Sequence, residues 1–241
     1  MNAELEEWSS FEEFIEVANK NCNWLILRNF EYLPNDFWEN DKDVDVLCED
    51  IESFTKIMRL TKRSWGIAAY ETVIDNRLVP IDVRFLGDGY YDKLWQYKML
   101  ASKVFTVKGV PRMDQENYFY SLIYHSKIQK YEVKEVYKQR LNALANSLDI
   151  QKFDMLSGSD SELARILSKF MKDNHYIYTK PIDCNVPKND SFLSLLEEGV
   201  KNSLSFKAPG HVYVSKYMPE WMFQIIPDKL KSGIKKAFGW N

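Results

Sequence analysis

Asp43 and Asp45 stand one residue apart in the run Asp41-Lys42-Asp43-Val44-Asp45-Val46-Leu47-Cys48. In an extended chain, alternate side chains share a face, so the two carboxylates point one way while Val44 and Val46 point into a packing layer. Asp is a poor strand former, and two like charges on one face repel. Such a strand is easier to understand if a cation sits between the carboxylates. Mg²⁺ takes carboxylate oxygens and commonly shares its remaining positions with substrate phosphates. The alternative is an exposed edge strand whose polar face is acidic, because a short D-x-D match is a weak motif.

A second acidic strand sharpens this reading. Leu78-Val79-Pro80-Ile81-Asp82-Val83-Arg84-Phe85 alternates, with Val79, Ile81, Val83 and Phe85 on one face and Asp82 and Arg84 on the other. Asp75-Asn76 is a turn signal, and Gly66 to Ile74 reads as the other strand of a hairpin. Arg84 is then a phosphate clamp, a counter-charge to the acidic cluster, or both. Gly87 and Gly89 break the pattern where the Asp82 strand ends, permitting backbone approach to a ligand or simply forming a tight turn. His125 follows Tyr124 on a long helical stretch, with Lys127 and Lys130 nearby. It could contact a donor phosphate, serve as a base near neutral pH, or fill a helix interface.

A D-x-D strand followed by a hairpin whose second strand carries a third Asp resembles the nucleotidyltransferase-fold superfamily. More closely, the order of Ile81-Asp82-Val83-Arg84, Gly87-Asp88-Gly89-Tyr90-Tyr91, Tyr118 to His125 and Tyr178-Thr179-Lys180-Pro181 is similar to nucleotidyltransferase-like proteins of bacterial surface-polysaccharide loci. The likeness spans roughly residues 22 to 185. It implies that Asp43, Asp45 and Asp82 are both catalytic and metal-binding, holding Mg²⁺ or Mn²⁺ over a nucleoside triphosphate or nucleotide-linked donor. It also brings in Lys180 and Asp183. In that superfamily the strand before the D-x-D strand ends in Gly-Ser or Gly-Gly, whose backbone lies close to the phosphates. Here Trp24-Leu25-Ile26-Leu27 ends at Arg28-Asn29, so these two side chains occupy the position of that substrate contact.

Composition bounds the class. At 241 residues with 45% apolar and 28% charged residues, the chain can bury a sizeable core as one or two soluble domains. A net charge of −3 argues against general nucleic-acid binding, which needs a basic footprint. Cys22, Cys48 and Cys184 form neither a disulfide framework nor a zinc spacing. Met1 to Glu16 is acidic rather than leader-like, and no apolar run reaches the ~18 residues needed to span a bilayer. The expected location is cytoplasmic. Near the end, Leu230, Ile234 and Phe238 recur every fourth residue among lysines. That pattern suits a basic amphipathic helix, either docked on its own domain or in peripheral contact with the inner face of an anionic membrane.

The elements that must position these residues follow from capping and periodicity. Ser9 or Ser10 caps a helix from Phe11 to Asn19, Asp50 caps one to about Thr61, and Leu94 to Lys103 is a third. Val104 to Val107 reads as a short strand, with Gly109-Val110-Pro111 as a domain boundary. Asp114 caps a helix to about Gln129, Tyr131 to Leu148 is helical, and Asp160 or Ser161 caps Glu162 to Asp173. Tyr176 to Asp183 reads as extended, and Asp190 or Ser191 starts a helix to Asn202. The expected architecture is α/β (α+β): a nucleotidyltransferase-like mixed sheet with flanking helices over residues 1–112, then a helical lobe over 113–175. A partly irregular segment, 176–241, ends in the basic helix. The expected activity is nucleotidyl transfer from a nucleoside triphosphate to a small-molecule, sugar or glycan acceptor in polysaccharide synthesis. Transfer of a phospho-alcohol from a cytidine-diphosphate donor, a D-x-D glycosyltransferase and a non-catalytic nucleotide-binding module are the alternatives.

Overall fold

The computed structural model describes residues 7–63, 66–131, 133–150 and 159–201, all within one compact unit that runs from Met1 to Lys201. The terminal basic segment with Leu230, Ile234 and Phe238 lies outside the described residues. Among those residues, no helix is long and apolar enough to cross a membrane.

The architecture is mixed α/β. Eight strands form one mixed sheet: β1 (Glu7–Trp8), β2 (Trp24–Ile26), β3 (Val44–Cys48), β4 (Thr61–Lys62), β5 (Ala69–Ile74), β6 (Arg77–Phe85), β7 (Val104–Phe105) and β8 (Pro111–Arg112). Their order is β1-β5-β6-β3-β2-β8-β7, with β4 added on β5. The centre is set by sequence. β5 and β6 form the expected hairpin, whose two turn residues Asp75 and Asn76 both adopt positive φ, a backbone region Asn and Asp tolerate better than most residues. β3 lies parallel to β6, with Val44 beside Ile81, Asp45 beside Asp82 and Val46 beside Val83. Alternation then sends Val44, Val46, Ile81 and Val83 into the core, all nearly inaccessible.

Two helices cover that apolar face, α1 (Phe11–Asn21), capped by Ser10, and α3 (Ile51–Ile57), capped by Asp50. Phe14 of α1 and Phe54 of α3 both pack on Trp24, which pairs with Cys48 across β2 and β3. Between the strands lies α2 (Phe37–Asn40), where Phe37 and Trp38 pack on Phe11 rather than on the carboxylates.

The remaining helices are α4 (Lys93–Ala101), α5 (Gln115–Ile128), α6 (Glu135–Ser147), α7 (Asp160–Asp173) and α8 (Asp190–Leu195). Trp95 of α4 joins α5 and α7. Its ring stacks on Tyr176 at 5.4 Å and meets Tyr124 and Phe170 edge-on. The burial of such large rings supplies much of the cohesion here.

Two expectations are corrected. Gly109-Val110-Pro111 is not a boundary: it leads into β8, which pairs with both β2 and β7 and so extends the sheet. Tyr176 to Asp183, expected as extended, joins no sheet, and its Tyr178 and Ile182 N–H groups donate to the Val200 and Asp88 carbonyls. The helix expected to reach Asn202 ends at Leu195, because Leu196 turns extended and lets Val200 come back against Tyr178.

Candidate functional site

The polar face of β3 and β6 floors a cleft of about 360 Å³. Asp43, Asp45 and Asp82 each place one carboxylate oxygen within 4.8 Å of the others. Parallel pairing puts Asp45 directly beside Asp82, and Asp43 shares the Asp45 face one residue before β3 begins. The charges crowd one another. Asp43 is pushed up to about 6, by its desolvated surroundings first and then by Asp45, Asp41 and Asp82. Asp82 is raised as well, by desolvation and then by Asp45, with Arg84 and Arg28 opposing.

Arg28 is the nearest compensation. It is 5% exposed, and its guanidinium holds Asp45 with two hydrogen bonds, Nε to Oδ2 at 3.1 Å and Nη2 to Oδ1 at 2.6 Å. Asn29 sits in the left-handed region, where its amide donates to Asp41 at 2.7 Å and its carbonyl oxygen accepts from Arg140 at 3.0 Å. Arg84 donates to Asp183 at 2.8 Å, lies 3.8 Å from Asp82, and stacks over the Tyr90 ring at 4.3 Å. It serves as counter-charge to the cluster while lining the cleft.

His125 does line the cleft, yet it is 6% exposed, with Nδ1 3.1 Å from the Tyr90 hydroxyl and 3.2 Å from the Gln129 side-chain oxygen. Burial, then the positive charge of Arg28, holds its pKa well below the usual imidazole value. A neutral, hydrogen-bonded ring orients Tyr90 and is unsuited to carrying charge near pH 7. Lys130 also lines the cleft.

Gly87, Gly89 and Lys180 do not. The Gly87 N–H donates to Gln96, and Gly89 (φ +75) lies so near Lys180 that a Cβ there would fall 2.5 Å from its carbonyl oxygen. The glycine-rich turn admits the chain's own backbone, and the exposed Lys180 contributes that backbone.

Several cleft residues had no individual reading in the sequence: Asp41, Ser126, Gln129, Lys134 and Tyr137. Ser126 and Gln129 could have been found from their place on the helix that carries His125. Lys134 and Tyr137 arrive from the next helix and leave no periodic signal.

Three carboxylates are hard oxygen donors that suit Mg²⁺ or Mn²⁺, and their spacing lets one ion reach all three. The Arg28 pair leaves each Asp45 oxygen with unused acceptor capacity, so the donor set fits a divalent ion. No protein-family model matches the chain, and no curated protein or solved structure is significantly similar to it.

Proposed function

We propose that this is a nucleotidyltransferase-like enzyme that transfers a nucleotidyl or related phosphoryl group in a divalent-metal-dependent reaction. The observation that carries the reading is the convergence of Asp43, Asp45 and Asp82 within 4.8 Å on two parallel neighbouring strands. A bound ion would neutralise these carboxylates and supply Lewis-acid charge for the oxygens of the transferring group. Arg28 fixes the orientation of Asp45. Arg84, held on Asp183 and Tyr90, presents positive charge to the same floor. An acceptor oxygen forms a bond to phosphorus while the bond to the leaving phosphate breaks. Asp82, if not itself a ligand, would take the hydroxyl proton. The nucleotidyltransferase fold, the glycan acceptor and the polysaccharide setting are supported by the sequence resemblance.

Thermal-shift titration with nucleoside triphosphates, nucleotide-sugars and cytidine-diphosphate alcohols, with Mg²⁺ and with EDTA, tests this reading. A donor is expected to raise the melting midpoint further with the ion than in EDTA, and ³¹P NMR should then follow its turnover with a sugar acceptor. Absence of any metal-dependent donor effect would remove the enzyme reading. The bidentate Arg28–Asp45 pair favours one alternative, a non-catalytic module in which a guanidinium stands in for the ion. That module would bind nucleotide equally well in EDTA and release no product.

A further inference from the structure

Beside the carboxylates, the cleft is lined by a wall from the end of α5 and the start of α6. Ser126 lines it at 1% exposure, and its hydroxyl has no hydrogen-bond partner. An unpaired buried hydroxyl is unfavourable, and a water or ligand oxygen that reached it would relieve that state. Lys130, two residues past the end of α5, and Lys134, at the start of α6, line the same cleft and are exposed. Among the described residues neither forms an ion pair, whereas neighbouring Lys127 and Lys188 are paired with Asp160 and Asp190. α6 is 13 residues long and begins without a side-chain cap, so its amino end adds positive potential. The carbonyl end of α5 opposes an anion, and two lysines outweigh it.

The cations on the floor each hold a carboxylate, Arg28 on Asp45 and Arg84 on Asp183, with Arg28 Nη1 and Arg84 Nε left unpartnered among the described residues. Asn29, at the position where the resemblance implies backbone contact with phosphate, is bonded to Asp41 and Arg140. We propose that the wall formed by Ser126, Lys130 and Lys134 is a separate anion subsite, and that it receives the diphosphate portion of a nucleotide or nucleotide-linked donor. Naming a nucleotide rests on the phosphoryl-transfer reading above. The recognition of a diphosphate rests on the wall alone.

The test is calorimetric titration of the full chain with inorganic pyrophosphate in EDTA, alongside Mn²⁺ binding followed by electron paramagnetic resonance. Wild type is expected to bind pyrophosphate without metal. Lys130→Ala with Lys134→Ala should weaken that binding at least about tenfold, and Ser126→Ala several-fold, as expected for charge-assisted hydrogen bonds. Ser126→Ala should leave the melting midpoint unchanged or higher, since it removes an unpartnered group, and Lys188→Ala should change neither measurement. Failure of wild type to bind pyrophosphate, or equal binding by the double lysine variant, would overturn the subsite. If Mn²⁺ binding persists in that case, the metal reading stands without it. Pyrophosphate binding that depends on the lysines, with no Mn²⁺ binding in wild type, would support the subsite and remove the metal reading instead.

Discussion

Arg28 holds Asp45 through two parallel hydrogen bonds, 3.1 Å and 2.6 Å long, at the floor of the cleft. One of the three converging carboxylates therefore already has a cation, and it is built into the chain. Removing one member of a buried pair leaves the other charge uncompensated, which costs about 3–5 kcal/mol. Arg28→Ala should thus lower the melting midpoint, on the order of 10 °C for a chain of this size. Mg²⁺ should restore more of the midpoint in this variant than it adds to wild type, because the ion then has no competitor for Asp45. Melting curves with and without Mg²⁺ decide it. An equal Mg²⁺ effect in both proteins would mean that Arg28 does not compete for this carboxylate.

The sequence showed the floor of the site more clearly than its walls, for a physical reason. Strand alternation has a period of two, so Asp43, Asp45 and Asp82 announce their shared face through the valines and isoleucine between them. Arg28 does not obey that rule. Strict alternation would place it with Ile26 on the apolar face, but the chain bends after Leu27, whose N–H still donates to the Asp45 carbonyl. That bend swings the guanidinium to the carboxylates. Likewise Lys134 and Tyr137 meet the site through the packing of α6 on α5, which no local pattern encodes. The two-residue strand β8 was hidden by its Pro, which usually marks loops.

His125 should behave as a packing group. Its ring is buried against Tyr90, Gln129 and Tyr137, and its folded pKa lies well below the ordinary 6.5. A depressed imidazole pKa contributes stability that is present above the unfolded value and lost as pH falls. Its NMR resonance is therefore expected not to titrate near pH 6.5. His125→Ala should lower the melting midpoint by several degrees, since it removes one hydrogen-bond partner of the Tyr90 hydroxyl and leaves a cavity. An imidazole that titrates normally, or an unchanged melt, would contradict the packing role.

Gly89→Ala should destabilise the protein and disturb Arg84 at a distance. At φ +75 an L residue is strained, and the new Cβ would fall 2.5 Å from the Lys180 carbonyl oxygen, at a cost of about 1–3 kcal/mol from the backbone alone. The segment it displaces is tied by the Ile182 N–H to the Asp88 carbonyl and carries Asp183, the partner of Arg84. Gly87→Ala meets only the flexible end of Lys93 and should cost less, although φ +91 strains it too. Comparison of the two melts is the measurement. A milder loss for Gly89→Ala than for Gly87→Ala would contradict the close backbone packing.

The crowded carboxylates should make the metal-free protein less stable as pH rises. Asp43 has a folded pKa of about 6 against an ordinary 3.8, and Asp82 is raised in the same direction. A folded state that holds its protons more tightly is favoured at low pH, and loses that advantage as pH climbs from the unfolded pKa through the folded one. For Asp43 the window runs from 3.8 to about 6. His125 acts with the opposite sign in acid, so variants are needed to separate the two. In EDTA, Asp43→Asn and Asp82→Asn should each flatten the decline in melting midpoint across this window and raise the midpoint above it, because each removes a repelling charge. Mg²⁺ should bind more tightly as pH rises through the same window, since it must displace those protons, and both variants should lose its stabilising effect. Midpoints measured from about pH 4 to about pH 8, with EDTA and with Mg²⁺, give both slopes. Should Asp82→Asn lower the metal-free midpoint above pH 6, the attraction of Asp82 to Arg84 outweighs its repulsion by Asp45. The cluster would then be an ion-paired network that does not require a metal.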